Sequence, residues 1–310
     1  MPESFEQPLN AATRYCAVLG HPIRHSASPA MQNAALARLG LDWRYLAFEV
    51  HPDDLREVIQ GAKRMKFIGL NLTVPHKLLA IPMMDALDET AKTWGAVNTV
   101  RFEAQNTEGN WQPLRHFKES VPREIRAQGF NTDADAITRS LREDLGVKLE
   151  GAKVLLLGAG GAGRVAALKL ASEGVAELFL VNRTMDKAEA IAAEIRARFP
   201  KVKTTVGYPK PPAMALDLLL NATSLGLKPG DGSPLDTGKF DLKNARAVYD
   251  MIYNPAETAL LKTAREAGCR TANGLGMLLY QGARALELWT GETAPVDVMR
   301  EALVKHIYGH

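Results

Sequence analysis

Cysteine is nearly absent from the chain: Cys16 and Cys269 are the only two, and they share no ligand spacing. A disulfide framework is excluded, and two reduced, buried thiols in a cytoplasmic protein are the expectation. Long hydrophobic runs are missing too, so no segment approaches the length of a membrane span. The first ten residues carry Glu3 and Glu6 and no apolar core, which argues against a secretory signal. Charge of either sign is not in large excess. The formal net charge is +3, with no basic tract and no interleaving of aromatic and basic residues. A nucleic-acid partner is therefore not expected, whereas a mild positive bias suits anionic small molecules. The seven histidines form no metal-binding pair on a helix face, because Pro22 interrupts His21 and His25. No metal site is expected.

What is present is ordinary globular material: 310 residues, 46% hydrophobic and 24% charged, enough for about two domains. The first half alternates strand-like and helix-like segments. Strands are expected at Tyr15 to Leu19, Trp43 to Val50, Phe67 to Leu72 and Ala96 to Phe102, with helices at Pro29 to Leu39, Pro52 to Ala62 and Asp85 to Thr93. This rhythm predicts an α/β sheet with crossover helices. The second half predicts helices at Asp133 to Leu145, Ala162 to Glu173 and Met185 to Phe199. Between and after them run strands at Val154 to Leu157, Leu178 to Asn182, near Lys203 to Val206, Leu216 to Leu220 and Arg246 to Met251. That is a doubly wound nucleotide-binding pattern. Three helical segments follow, Ala256 to Ala267, Leu275 to Thr290 and Pro295 to Ile307. The last two carry enough apolar surface to need a partner, and the first domain is the expected one. The expected domains are 1–132, 133–271 and a C-terminal helical pair at 272–310. Loops rich in turn residues are read at Pro209 to Pro212 and Lys228 to Gly232.

The apolar run Val154-Leu155-Leu156-Leu157 passes directly into Gly158-Ala159-Gly160-Gly161-Ala162-Gly163. Gly158, Gly160 and Gly163 fit G-x-G-x-x-G, in which the first glycine permits the turn, the second admits a pyrophosphate and the third brings helix against strand. Taken alone, such a turn can serve packing only. About twenty residues on, the next strand ends at Asn182-Arg183-Thr184. A carboxylate there would select NAD; instead Arg183, Thr184 and Lys187 offer a clamp for a 2′-phosphate, weakened by Asp186 between them. NADP(H) is the expected dinucleotide.

Two stretches of the first half carry polar residues beyond what a strand end needs. His21 to Pro29 presents Ser26 and Ser28 before a helix, either as donors to a carboxylate or, for Ser28, as an ordinary N-cap. Asn71, Thr73 and Lys77 follow one strand, and a lysine so placed can exchange a proton or simply remain a solvated charge.

The ordered set PIRHSASP (22–29), NLTVPHK (71–77), GAVNTV (95–100), GFNTD (129–133), GAGGAG (158–163), VNRT (181–184), NATSLG (221–226), YDMIYNP (249–255) and GLGMLLYQGA (274–283) resembles the shikimate dehydrogenase family over nearly the whole chain. The resemblance implies NADPH-dependent, reversible reduction of 3-dehydroshikimate to shikimate, a step of chorismate and aromatic amino acid biosynthesis. Substrate would bind between an N-terminal catalytic domain and a Rossmann domain. By position, Ser26 and Ser28 would hold the substrate carboxylate. Asn71, Thr73, Asn98, Asp133 and Gln281 would line the hydroxyl-binding site with Tyr253 close by, and Lys77 with Asp133 would be the catalytic pair. Gly158, Ala159, Gly160, Gly161, Ala162, Asn182, Arg183, Thr184, Lys187, Met251, Gly274 and Glu89 would touch the cofactor, with Thr223, Ser224 and Met277 flanking the nicotinamide.

Three departures from the family pattern stand out. Ala134-Asp135-Ala136 follow Asp133 where glycines are common, Gln32 replaces a common histidine, and the segment from Glu103 to Gln128 is long. That segment is read as a surface hairpin or lobe rather than a catalytic lid, with Trp111 and Phe117 as its anchor or as an association surface. Rival readings are a quinate/shikimate dehydrogenase using NAD or NADP, a non-catalytic NADP sensor on the same scaffold, and a folate-dehydrogenase-like enzyme. Lys77 and Asp133 together oppose the sensor. A monomer and a homodimer are equally compatible with the sequence.

Overall fold

The computed structural model describes residues 8–118, 120–210, 215–228 and 230–309, so Pro211, Pro212 and Pro229 of the two turn-rich loops lie outside the described residues. By its contacts the chain divides into two compact units, one of Met1–Thr132 with Leu279–His310, the other of Asp133–Leu278.

The first unit contains β1 (Arg14–Gly20), α1 (Ser28–Arg38), β2 (Trp43–Glu49), α2 (Leu55–Arg64), β3 (Gly69–Leu72), the single-turn α3 (His76–Leu79), β4 (Ala86–Leu87), α4 (Glu89–Trp94), β5 (Thr99–Gln105), β6 (Trp111–Pro113) and β7 (Ile125–Phe130). Its sheet runs β2-β1-β3-β5-β7-β4, with β6 paired to β5. β1 is parallel to β2 and β3, as crossover helices require. β5, however, is antiparallel to both β3 and β7, so the sheet is mixed. The long segment after β5 doubles back as an antiparallel hairpin through β6, which brings β7 beside β5 in the opposite direction.

That segment is fastened down. Glu103, 1% exposed, receives hydrogen bonds from Arg101 and Arg126, and the Arg126 guanidinium lies 4.5 Å from the Trp111 ring centre. Arg14 donates to the Leu114 carbonyl at 2.8 Å, and Leu114 is fully buried. Trp111 is thus an anchor within the hairpin. A second difference lies at Asp85 to Thr93, where a continuous helix is replaced by a short strand and a short helix. The Asp85 carboxylate accepts from Ala127 N–H at 2.7 Å, tying β4 beside β7, and Asp88 caps α4 by accepting from Ala91 N–H at 3.0 Å.

The second unit contains α5 (Asp133–Glu143), β8 (Lys153–Leu157), α6 (Gly161–Ser172), β9 (Glu177–Val181), α7 (Met185–Arg198), β10 (Lys203–Val206), β11 (Leu218–Asn221), β12 (Ala247–Asp250), α8 (Ala259–Glu266) and β13 (Arg270–Asn273). All six strands are parallel in the order β10-β9-β8-β11-β12-β13, a doubly wound sheet whose order reverses beside β8. The edge strand β13 has no counterpart in the sequence reading, since Arg-Thr-Ala-Asn shows neither alternation nor an apolar run. Leu155, Leu157, Phe179, Leu219, Val248 and Leu260 form one of its buried clusters.

The chain then runs through α9 (Leu275–Thr290), which crosses the boundary between the units, and α10 (Val296–Tyr308), which packs against α1. Trp289 near the end of α9 is 1% exposed and donates from its indole N–H to the Val100 carbonyl at 3.0 Å. Gly69 makes room for it, because a Cβ there would overlap the indole nitrogen. Arg115 of the long segment meets the Leu288 and Trp289 carbonyls, close to where α9 ends.

Candidate active site

In the second unit the glycines of the β8–α6 turn divide their work as the motif requires. Gly158 has φ +106°, and a Cβ there would come within 2.9 Å of the Ala222 carbonyl and the Thr223 methyl. A Cβ on Gly163 would collide with the Gly158 carbonyl oxygen, so the third glycine sets helix against strand. Gly160 and Gly161 face open space, with nothing within 4 Å of an added Cβ. Gly160 is the N-cap of α6 and no side chain caps the helix, which leaves the amide groups of the first turn available. Gly160, Gly161 and Ala162 are exposed. A backbone that can be approached closely, beside free N–H groups at the positive end of a helix, fits a pyrophosphate.

Beside this turn, Asn182 accepts from Ala159 N–H at 3.0 Å and donates to the Thr184 carbonyl at 2.8 Å, so the end of β9 is held against the glycine loop. Arg183, Thr184 and Lys187 are exposed, and among the described residues neither Arg183 nor Lys187 makes an ion pair or side-chain hydrogen bond. Their charges are uncommitted. Asp186 is exposed on the same turn of α7. The loops after β11 and β12 complete this edge. Thr223 lies against Gly158, and Gly274 lies so close to Met251 that a Cβ would overlap the Met251 carbonyl. Ser224 is exposed, while Met251, Tyr253 and Met277 are half-buried.

Asp133 begins α5 and is 7% exposed. Two of the three residues after it that depart from the family pattern have a local explanation. Ala134 is fully buried, and the Asp135 carboxylate meets Lys169 Nζ of α6 at 2.8 Å, with Lys169 also paired to Glu173. Asp135 therefore braces α5 against α6.

In the first unit a buried polar chain joins two of the remaining candidates, Asn71 and Asn98. The Tyr45 hydroxyl donates to Asn71 Oδ1 at 2.7 Å. The Asn71 amide donates to Thr99 Oγ1 at 3.0 Å and to the Asn98 carbonyl at 3.2 Å. Asn98 exchanges bonds with Thr132, its Nδ2 reaching Thr132 Oγ1 at 2.9 Å and its Oδ1 accepting from Thr132 N–H at 2.8 Å. Burial pushes the Tyr45 phenol well above its ordinary pKa, so it stays a neutral donor. Ser28 is not a cap: Ala27 is the N-cap of α1 and no side chain caps the helix. Ser26 Oγ receives Ser28 N–H at 3.4 Å.

Thr73 follows β3 directly, its methyl against Gly20, and Lys77 is half-buried on α3, its carbonyl taken by Val97 N–H. Gln281 is half-buried on α9. Gln32 is fully buried and donates to the Gly282 carbonyl at 2.9 Å, fixing α1 to α9 one residue beyond Gln281. Glu89 stands apart. It is exposed on α4 and paired with Lys92 at 2.8 Å.

Tyr45, Thr99 and Thr132 were not singled out from the sequence. Their signal was present: Trp43 and Tyr45 are the inward positions of a short strand, and Thr132 lies inside the GFNTD stretch. A hydroxyl on such a strand needs a partner, and only the pairing of β1 with both β2 and β3 brings Asn71 to it.

Three family models match the chain: "Shikimate dehydrogenase substrate binding domain" over residues 18–100, "Shikimate / quinate 5-dehydrogenase" over 140–224 and "Shikimate 5'-dehydrogenase C-terminal domain" over 274–304. A relative from Methanopyrus kandleri, called shikimate dehydrogenase (NADP(+)), is 40% identical over 303 residues, covering 96% of this chain and 98% of the relative. Among solved structures, a shikimate 5-dehydrogenase from Thermus thermophilus in complex with NADP(H) and shikimate aligns with TM-score 0.77 and 36% identity, covering 94% of this chain and 99% of that one. A quinate dehydrogenase from Corynebacterium glutamicum in complex with NAD aligns with TM-score 0.77 and 29% identity, covering 94% and 99%.

Proposed function

This chain belongs to the shikimate dehydrogenase family, and from that premise we propose that it catalyses the reversible, NADPH-dependent reduction of 3-dehydroshikimate to shikimate. The observation that carries the choice of cofactor is the pair Arg183 and Lys187, exposed and unpaired at the end of β9, beside a glycine turn with open backbone. A 2′-phosphate is the ligand such charges suit. NADP supplies the hydride acceptor when shikimate is oxidised and, as NADPH, the donor in the reverse direction.

In this proposal the pyrophosphate rests on Gly158, Ala159, Gly160, Gly161 and Ala162, and Asn182, Arg183, Thr184 and Lys187 take the adenosine 2′-phosphate. Thr223, Ser224, Met251, Gly274 and Met277 flank the nicotinamide. Glu89 is given no part, since its carboxylate is occupied by Lys92. Ser26 and Ser28 donate to the substrate carboxylate, while Asn71, Thr73, Asn98, Tyr253 and Gln281 meet the ring hydroxyls. The Tyr45–Asn71–Thr99 chain supports this reading, because hydroxyl and amide groups already joined in one network lose little freedom when a polyhydroxy acid arrives.

Lys77 is the proton-transfer group. As the substrate C3 carbon gives up hydride, its hydroxyl must lose a proton, and an ammonium at that oxygen stabilises the developing alkoxide or carries the proton away. Asp133 orients the amine. The reaction is tested by following nicotinamide absorbance with shikimate and with quinate, each with NADP and with NAD. Turnover is expected to be most efficient for shikimate with NADP. We further propose a cytoplasmic enzyme: Cys16 and Cys269 are both buried free thiols, and no helix among the described residues is long and apolar enough to cross a membrane.

A further inference from the structure

A buried carboxylate lies outside the roles assigned above. Asp250, the last residue of β12, is fully buried, and among the described residues it has no cationic partner. Three neutral donors satisfy it. Asn221 Nδ2 reaches Oδ1 at 2.9 Å, Ile252 N–H reaches the same oxygen at 3.1 Å, and Thr258 Oγ1 reaches Oδ2 at 2.7 Å. An isolated buried carboxylate is expensive to keep, and burial raises its pKa even against these three bonds. An apolar residue at the end of a central strand would hold the sheet together more cheaply. The question is what the charge does.

Its partners give the answer. Asn221 ends β11 beside Asp250 in register, and its other amide atom, Oδ1, accepts from Thr223 N–H at 2.9 Å and from Thr223 Oγ1 at 2.7 Å. With Asp250 taking its Nδ2, the Asn221 amide has only one orientation, with Oδ1 toward Thr223. Ile252 follows Met251, whose N–H is held by the Asn221 carbonyl at 3.0 Å, and the Ile252 carbonyl accepts from Gly274 N–H at 3.1 Å. Thr258 caps α8 by accepting from Leu261 N–H at 3.3 Å, so its hydroxyl proton is directed at Asp250. One carboxylate therefore fixes the loop after β11 and both ends of the loop from Met251 to Thr258. Parallel strands of such a sheet present their reactive edge at their carboxyl ends.

We infer that Asp250 is a positioning residue for hydride transfer: through Asn221 and Ile252 it sets Thr223 and Met251 against the nicotinamide ring, without touching cofactor or substrate. This rests on the reading that these two loops flank the nicotinamide. The 2′-phosphate clamp at Arg183 belongs to a different strand end and is independent of Asp250. Loss of the carboxylate therefore separates holding the cofactor from aligning it.

Asp250→Asn tests this. The amide keeps one acceptor for Asn221 and Ile252 but presents an N–H where Oδ2 accepted the Thr258 hydroxyl, so that hydroxyl loses its acceptor and must turn away. The expected result is a fall of about tenfold in kcat with shikimate, within the range that small misalignments of reacting groups produce. The NADP Kd should stay within about twofold of the wild-type value, and the primary deuterium isotope effect on kcat should rise, because hydride transfer becomes rate-limiting. A variant with wild-type kcat and isotope effect would overturn the inference. So would one whose NADP Kd weakens by the same factor as kcat falls, as expected of a merely structural role. If Asp250→Asn does not fold, Thr258→Val and Thr258→Ser serve in its place. The valine variant should lose kcat about threefold or more while the serine variant keeps it, and equal rates for the two would overturn the assignment. Wild-type protein that turns over no shikimate would overturn the functional reading, and this role with it.

Discussion

Arg183→Ala is the most informative single substitution in the cofactor site. The guanidinium is exposed and, among the described residues, pairs with nothing, so its removal leaves no partner stranded and no cavity. Folding stability should change by no more than about 0.5 kcal/mol, the usual range for such a surface change. Binding is another matter. A charge-assisted, two-pronged contact with phosphate contributes about 1.5–3 kcal/mol, and solvent at this exposed position argues for the lower half of that range. About 1.5–2 kcal/mol corresponds to a rise of about 10–30-fold in KM for NADP. NAD has a hydroxyl where NADP has the phosphate, so its KM should move less than about twofold. Initial rates at saturating shikimate, with each dinucleotide varied, give both numbers, and a thermal melt gives the third. Equal effects on the two dinucleotides would refute the 2′-phosphate role. A large drop in melting temperature would refute the claim that the side chain is uncommitted. Because the contact is exposed, the KM for NADP should also climb with added salt.

Other substitutions separate the parts of the site. Lys77→Ala should lower kcat by about 10²–10⁴-fold, the usual span for a proton-transfer group, with NADP affinity by fluorescence titration near wild type. Retention of activity would remove Lys77 from the chemistry. Gly163→Ala drives a methyl into the Gly158 carbonyl and should destabilise the protein by about 1–3 kcal/mol, read as a lowered melting temperature. Gly160→Ala meets no protein atom within 4 Å and should melt like wild type while weakening NADP binding; a normal NADP affinity would mean that no phosphate approaches that backbone. Glu103→Gln should lower stability by about 1–3 kcal/mol in a denaturant titration, since Glu103 is 1% exposed between Arg101 and Arg126, both partly open to solvent. An unchanged midpoint would show that the hairpin is held by its apolar contacts alone.

The second unit was the more legible of the two. Leu-rich runs ending in glycine announce a parallel strand and a phosphate turn, and the absence of an acid after β9 announces NADP, because both signals are local. The first unit hides more. The antiparallel return of β7 depends on how the long segment after β5 folds back, and Arg14 and Arg115 fasten that segment by contacts distant in sequence. Helical periodicity at Asp85 to Thr93 gave way to a strand because the Asp85 carboxylate binds the backbone of β7. Ser28 read as a cap, and the helix instead begins with Ala27 in that position and no side-chain cap. Asp250 lay in plain view within the YDMIYNP stretch. Its use appears only when β11 and β12 are paired and Asn221 comes beside it.

The measurement that bears most directly on the whole account is kcat/KM for shikimate and for quinate, each with NADP and with NAD, on the purified wild-type protein. The account predicts the highest value for shikimate with NADP, and a marked fall when either the substrate or the dinucleotide is exchanged. A higher value for quinate with NAD, or no turnover with any of the four pairs, would contradict it.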